Sequence, residues 1–136
     1  MPKPPERIAV VGWGSLSPLG EDADSTWAAV CARQSGIQAI QEPWAEDLNV
    51  RIAGRVAETA FADLEPLLRR RADRCAQLAL LAARQAWAMA EHNRRGLDPT
   101  RIAVVLGTGI GGLATMHEQH SPVSYTHLRA HETSID

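Results

Sequence analysis

Aromatic residues are scarce in this chain: one Phe, one Tyr and four Trp among 136 residues. A stacking platform for nucleic-acid bases is excluded on that ground. Charge of one sign is also missing. The 14 Lys and Arg against 16 Asp and Glu leave a net −2, so no global field steers the chain toward nucleic acid or a membrane. Cysteine occurs only at Cys31 and Cys75. Two cysteines make no disulfide framework, and their use fits a reducing compartment. No apolar run reaches membrane-spanning length. The Met1-Pro-Lys-Pro-Pro-Glu start lacks the apolar stretch of a signal peptide. These absences predict a soluble, cytoplasmic protein with neither nucleic acid nor membrane as a partner. What is present suffices for one folded domain, since 45% of the residues are hydrophobic.

The most informative stretch is T-R-I-A-V-V-L-G-T-G-I-G-G-L, Thr100–Leu113. Ile102 to Leu106 is an aliphatic, β-branched run that reads as a buried strand. Gly107, Gly109, Gly111 and Gly112 follow, so the backbone can turn sharply and lie close to a neighbour. Arg7–Val11 reads as a first strand, apolar on both faces, which implies a parallel sheet covered by helices. Ser25 or Asp24 can cap a helix from Thr26 to Arg33, with Gly36 just past its end. Residues 37–50 show no period and read as an excursion anchored by Trp44. Arg51–Val56 alternates like a half-exposed strand, weakened by Gly54, and a helical turn follows near Asp63–Leu68.

Arg71–Glu91 is the longest predicted helix. Ala72, Cys75, Leu78, Ala79, Ala82, Ala86 and Met89 recur at steps of three and four, and the polar stripe is thin. That pattern predicts a central, mostly buried helix, stopped between Asn93 and Gly96. The order strand, helix, strand, helix, strand is α/β with right-handed crossovers.

Several constellations carry chemistry, each beside a simpler reading. Gly107, Gly109 and Gly112 match G-x-G-x-x-G, which after a strand can cradle a dinucleotide pyrophosphate. The acidic residue expected about 20 positions on could only be Glu132, to which no strand leads; a tight strand-to-helix turn is the simpler reading. Cys75 lies beside Arg69, Arg70, Arg71 and Arg74, whose charge favours a thiolate. It also shares the apolar face of its helix, as a structural thiol would. The run Arg69–Arg71 reads as a solvated helix end that could also meet an acidic partner. His117 and His120 are one residue short of a zinc-protease pair. His127 and His131 have the i, i+4 spacing but no third ligand, so no metal is expected.

Six pieces, in order, resemble the N-terminal part of the β-ketoacyl-[acyl-carrier-protein] synthases, condensing enzymes of fatty acid synthesis. They are Val10–Gly20, Ser25–Val30, Gln34–Ile37, Arg51–Gly54, Arg69–Arg74 and Arg101–Leu113. The resemblance implies a thiolase-like fold, layered αβαβα and incomplete in this chain, usually in a homodimer. It implies decarboxylative Claisen condensation of acyl and malonyl thioesters carried on the phosphopantetheine arm of acyl carrier protein, in fatty acid or polyketide synthesis. No bound cofactor is implied. In this family the nucleophilic cysteine and two histidines lie beyond the glycine loop. Cys31, Cys75 and the five histidines do not match those positions, so no catalytic role carries over and the chain alone is expected to be inactive. Ile110 does match, at a position that lines the acyl pocket near the dimer interface, with Gly107, Gly109, Gly111 and Gly112 shaping its loop.

The resemblance covers about residues 7–120, so residues 1–120 are assigned to the synthase N-terminal domain. The tail, residues 121–136, is similar to an ending found on unrelated truncated sequences and is expected to be foreign to the gene. A non-catalytic, synthase-like partner subunit and a dinucleotide-binding domain remain as the other two readings.

Overall fold

The computed structural model describes residues 7–120. Its elements are α1 (Ala23–Cys31), β1 (Ile37–Ala39), β2 (Ile52–Gly54), α2 (Pro66–Arg71), α3 (Arg74–Met89) and α4 (Glu91–Arg94), with three short 3₁₀ turns between them. Residues 113–120 are again helical. The chain therefore combines helices with one small sheet. No helix among the described residues is long and apolar enough to cross a membrane.

The sheet departs from expectation. β1 and β2 pair antiparallel, Ile37 opposite Gly54 and Ala39 opposite Ile52, and no parallel ladder occurs among the described residues. β1 falls in the stretch read as an excursion. Arg7–Val11 and Ile102–Leu106, predicted as strands, have no ladder partner there. Both flank α3: Val11, Gly12 and Ile102–Val105 border one groove of about 400 Å³ with Ala83, Ala86, Trp87 and Ala90. Their other sides are bare, with Ile8 95%, Val104 91% and Val105 94% exposed. A run apolar on both faces needs a layer on each side, and among the described residues α3 supplies one side.

α1 starts three residues earlier than the sequence reading placed it. Asp22, not Asp24 or Ser25, is its N-cap. The Ser25 N–H donates to Asp22 Oδ1 at 2.7 Å, and the Asp22 N–H donates back to Ser25 Oγ at 3.2 Å. Two orphan donors are thus satisfied reciprocally, with serine where such boxes usually carry Glu or Gln. At the other end Arg33 (φ 57°), not Gly36, takes the left-handed turn. The Arg33 and Gln34 amides close onto the Val30 and Ala29 carbonyls, both at 3.0 Å, as in a Schellman motif.

The Ser25 hydroxyl, together with the Ser25 amide, lowers the Asp22 carboxyl below 3.8, the ordinary aspartate value. The folded chain therefore binds this proton less readily than the unfolded chain. The cap's contribution is complete above the ordinary aspartate range and is lost as pH falls through the lowered value. We expect α1 helicity, followed by the Asp22 and Ser25 amide shifts, to decline only below about pH 4. Asp22→Asn keeps a capping side chain and should flatten that decline. An unchanged profile in the variant would remove Asp22 as its cause.

α3 is shorter than predicted and far less buried. Ala72 and Asp73 break it from α2, and it ends at Met89 with Ala90 as C-cap. Among its residues only Gln77 is fully buried. The Gln77 side-chain amide donates to the Arg69 carbonyl at 3.0 Å and the Ala72 carbonyl at 2.8 Å. It thereby fastens the end of α2, whose last carbonyls have no helical partner. The alanine-rich face behind it meets loops rather than a second layer.

The core is correspondingly small: Ala29, Ala45, Phe61, Leu64 and Ala90 are the buried hydrophobic residues described. In the 37–50 stretch the buried anchor is Ala45, while Trp44 beside it is 62% exposed. Ala45 sits in the 3₁₀ turn Pro43–Ala45 and its amide donates to the Glu42 carbonyl at 2.9 Å. A small side chain lets that turn lie flat on its neighbours, where an indole would hold it away.

Candidate functional site: the glycine loop over helix 3

Two separate stretches close over the N-terminal half of α3. Gly14, Ser15 and Leu16 form one wall, Cys75, Leu78, Ala79 and Ala82 of α3 the floor, and Leu106, Gly107 and Thr108 the opposite wall. The cavity measures about 450 Å³, within the range of small-molecule sites. Its lining is mainly aliphatic, relieved by the Ser15 and Thr108 hydroxyls and the Cys75 thiol.

The first wall is set by close approach. A Cβ on Gly14 would fall on the Ala82 carbonyl oxygen and lie 2.7 Å from Gln85 Cβ. Glycine alone lets this loop touch the α3 backbone. Gln85 then holds the loop at two points. Its Oε1 accepts from the Ser15 amide at 3.0 Å, and its Nε2 donates to the Glu21 carbonyl at 2.7 Å.

The second wall is the glycine loop. Gly111 takes a left-handed conformation (φ 76°), and its amide donates to Thr108 Oγ1 at 3.0 Å. Gly112 presses on Asp73, where a Cβ would come 2.6 Å from Asp73 Cγ. At Gly107 and Gly109 an added Cβ would meet nothing within 4 Å. Ile110 is 72% exposed and is not part of the cavity lining.

Cys75 reaches the cavity floor, half-buried, and Cys31 is exposed at the end of α1. Among the described residues no histidine, carboxylate or lysine lines the cavity beside Cys75, so none of them stands ready to take its proton. Of the clustered arginines, Arg74 and Arg69 are engaged by Glu58, at 2.6 Å and 4.0 Å. His117 and His120 lie on the helical residues 113–120. No group of three His, Cys, Asp or Glu among the described residues is placed to hold a metal ion. Glu132, His127 and His131 lie outside the described residues.

The strand-like run, glycine loop and helix at residues 102–120 follow the order quoted for the condensing enzymes, and a family model decides the matter. The model described as "Beta-ketoacyl synthase, N-terminal domain" matches residues 5–134. The chain belongs to the β-ketoacyl synthase family. It is 34% identical over 116 residues to 3-oxoacyl-[acyl-carrier-protein] synthase 2 of Staphylococcus aureus strain N315, covering 85% of this chain and 28% of that one. The enzyme of the same name from Coxiella burnetii (strain RSA 493 / Nine Mile phase I) is 30% identical over 117 residues, covering 84% and 28%. The chain thus spans 28% of the length of these curated relatives. Gly12, Gly14 and Gly112 of this chain each mark a backbone pressed against α3 or its N-cap residue Asp73.

Proposed function

We propose that this chain is the N-terminal segment of a 3-oxoacyl-[acyl-carrier-protein] synthase. The observation that carries the reading is a family match over nearly the whole chain that covers only 28% of the relatives' length. In the complete enzyme a cysteine thiolate takes the acyl group from the carrier protein's phosphopantetheine thiol, forming one thioester as the other breaks. A malonyl thioester then loses carbon dioxide. The carbanion attacks the acyl carbonyl and expels the cysteine thiolate, leaving a 3-oxoacyl chain on the carrier. Two histidines stabilise the charge that develops in the second step.

This chain contributes framework to that reaction. Ile110 lines the acyl pocket from the glycine loop, and Gly107, Gly109, Gly111 and Gly112 shape the loop. Neither Cys31 nor Cys75 acts as the nucleophile. The fold of the complete domain is thiolase-like, and the bare sides of Ile8, Val104 and Val105 are the faces on which its remaining layers pack. The complete enzyme works as a homodimer in the cytoplasm with acyl carrier protein as partner. The synthase segment is residues 1–120, with 121–136 a foreign tail. That boundary rests on where the quoted motifs stop, the family match itself reaching residue 134.

The test is a condensation assay with acyl- and malonyl-carrier protein. This chain should yield no 3-oxoacyl product. A longer gene product that contains the family's cysteine and histidines should yield one, and its failure to do so would overturn the assignment.

A further inference from the structure

Asp73 occupies the N-cap position of α3, yet its side chain makes no capping hydrogen bond there. Aspartate in that position ordinarily accepts from an amide of the first turn. Here the carboxylate is turned away: Thr115 Oγ1 donates to Asp73 Oδ2, and Gly112 lies against the same group. Thr115 is 42 residues distant in sequence, so the contact ties two separate parts of the chain together.

We propose that Asp73 is a positioning residue that latches the glycine loop to helix 3 through Thr115 and Gly112. The described contacts of the loop with Asp73 fall at its C-terminal end. Gly111 is bonded to the Thr108 hydroxyl and Gly112 lies against the Asp73 carboxylate, while an added Cβ at Gly107 or Gly109 would meet nothing within 4 Å. Ile110 sits between the fixed and the open end, so the latch sets where that side chain lies. The consequence for an acyl chain rests on the proposed synthase reading; the latch itself does not. Release is cheap by construction, because the amides of the first turn of α3 offer the freed carboxylate a second set of donors.

The test is amide hydrogen exchange, followed residue by residue on this chain. Two amides report the latched end: Gly111, bonded to Thr108 Oγ1, and Met116, bonded to the Gly112 carbonyl at 2.9 Å. Ser15, held by Gln85 on the other wall, is the control. Asp73→Ala should speed exchange at Gly111 and Met116 about tenfold and leave Ser15 unchanged. Asp73→Asn keeps an acceptor oxygen and should restore most of the protection. Thr115→Val should reproduce Asp73→Ala, and the double variant should add nothing further. Unchanged exchange at Gly111 and Met116, or additive effects in the double variant, would overturn the latch. If Asp73→Ala also frees Ser15, the fold itself has been lost, and Thr115→Val, altered on an exposed residue, decides alone. No acyl donor enters the measurement, so its failure and the failure of the synthase reading are separate results.

Discussion

Phe61→Ala should cost this chain about 3–5 kcal/mol, the usual loss when a buried aromatic is truncated to alanine. Phe61 is the one large side chain among the described residues that is completely buried. The Arg74 guanidinium lies 3.4 Å from its ring centroid, and Arg74 Nη2 is held in turn by Glu58 Oε1 at 2.6 Å. Truncation opens a cavity, removes the ring face from the cation and loosens the start of α3. The cation–π share is about 0.5–1 kcal/mol for a partly exposed arginine; the cavity supplies most of the loss. With so few other buried side chains, that loss is a large part of a typical domain's stability. Urea unfolding followed by tryptophan fluorescence checks it, with Trp44→Ala as the comparison. The exposed Trp44 should change stability by no more than about 0.5 kcal/mol. Equal shifts in the two variants would show that Phe61 is not the centre of the fold.

Gly14→Val should be nearly as damaging, at about 3 kcal/mol. Its Cβ would overlap the Ala82 carbonyl oxygen and approach Ala82 C to 3.0 Å. These are backbone atoms in the middle of α3, and they have no rotamer to escape into. The loop has to lift, which breaks the Ser15–Gln85 bond and opens the 450 Å³ cavity on one side. Gly109→Ala is the matched control. Nothing lies within 4 Å of an added methyl there, so its effect on stability should stay within about 0.5 kcal/mol. Chemical denaturation of both variants separates the cases. A tolerated valine at position 14 would mean that the loop does not pack on α3 as described.

The contrast between these glycines shows what could be read without the fold. The four glycines after Leu106 are conspicuous by density, yet at Gly107 and Gly109 an added Cβ would meet nothing within 4 Å. Gly12 and Gly14 stand in no such cluster, and they bear directly on the α3 backbone. Close approach is a property of two segments, and the bonds that record it here span 70 residues for Ser15–Gln85 and 42 for Asp73–Thr115. No local pattern carries such pairs.

Helical periodicity did its work over sixteen residues in α3, missing the ends by a few positions. It could not find β1, since three residues are too short for an alternation to emerge. Nor could it fix the antiparallel pairing with β2, which depends on the path of residues 40–51. For the α1 cap the sequence offers Ser25 or Asp24, and only the reciprocal bond between Asp22 and Ser25 moves it to Asp22. Arg7–Val11 and Ile102–Leu106 are the instructive failures. Their composition asks for a buried parallel sheet, while the described residues offer each of them one helix and no neighbouring strand.

The most direct test of this account is the mass of the intact chain after incubation with an acyl-carrier-protein thioester. A general alkylating reagent serves as the accessibility control and should label Cys31, which is exposed. The account predicts no acyl adduct on either cysteine, because among the described residues no base lines the cavity beside Cys75 and Cys31 stands exposed at the end of α1. A stoichiometric thioester on Cys75, at the floor of the cavity beneath the glycine loop, would contradict it and make this chain an acyltransferase in its own right.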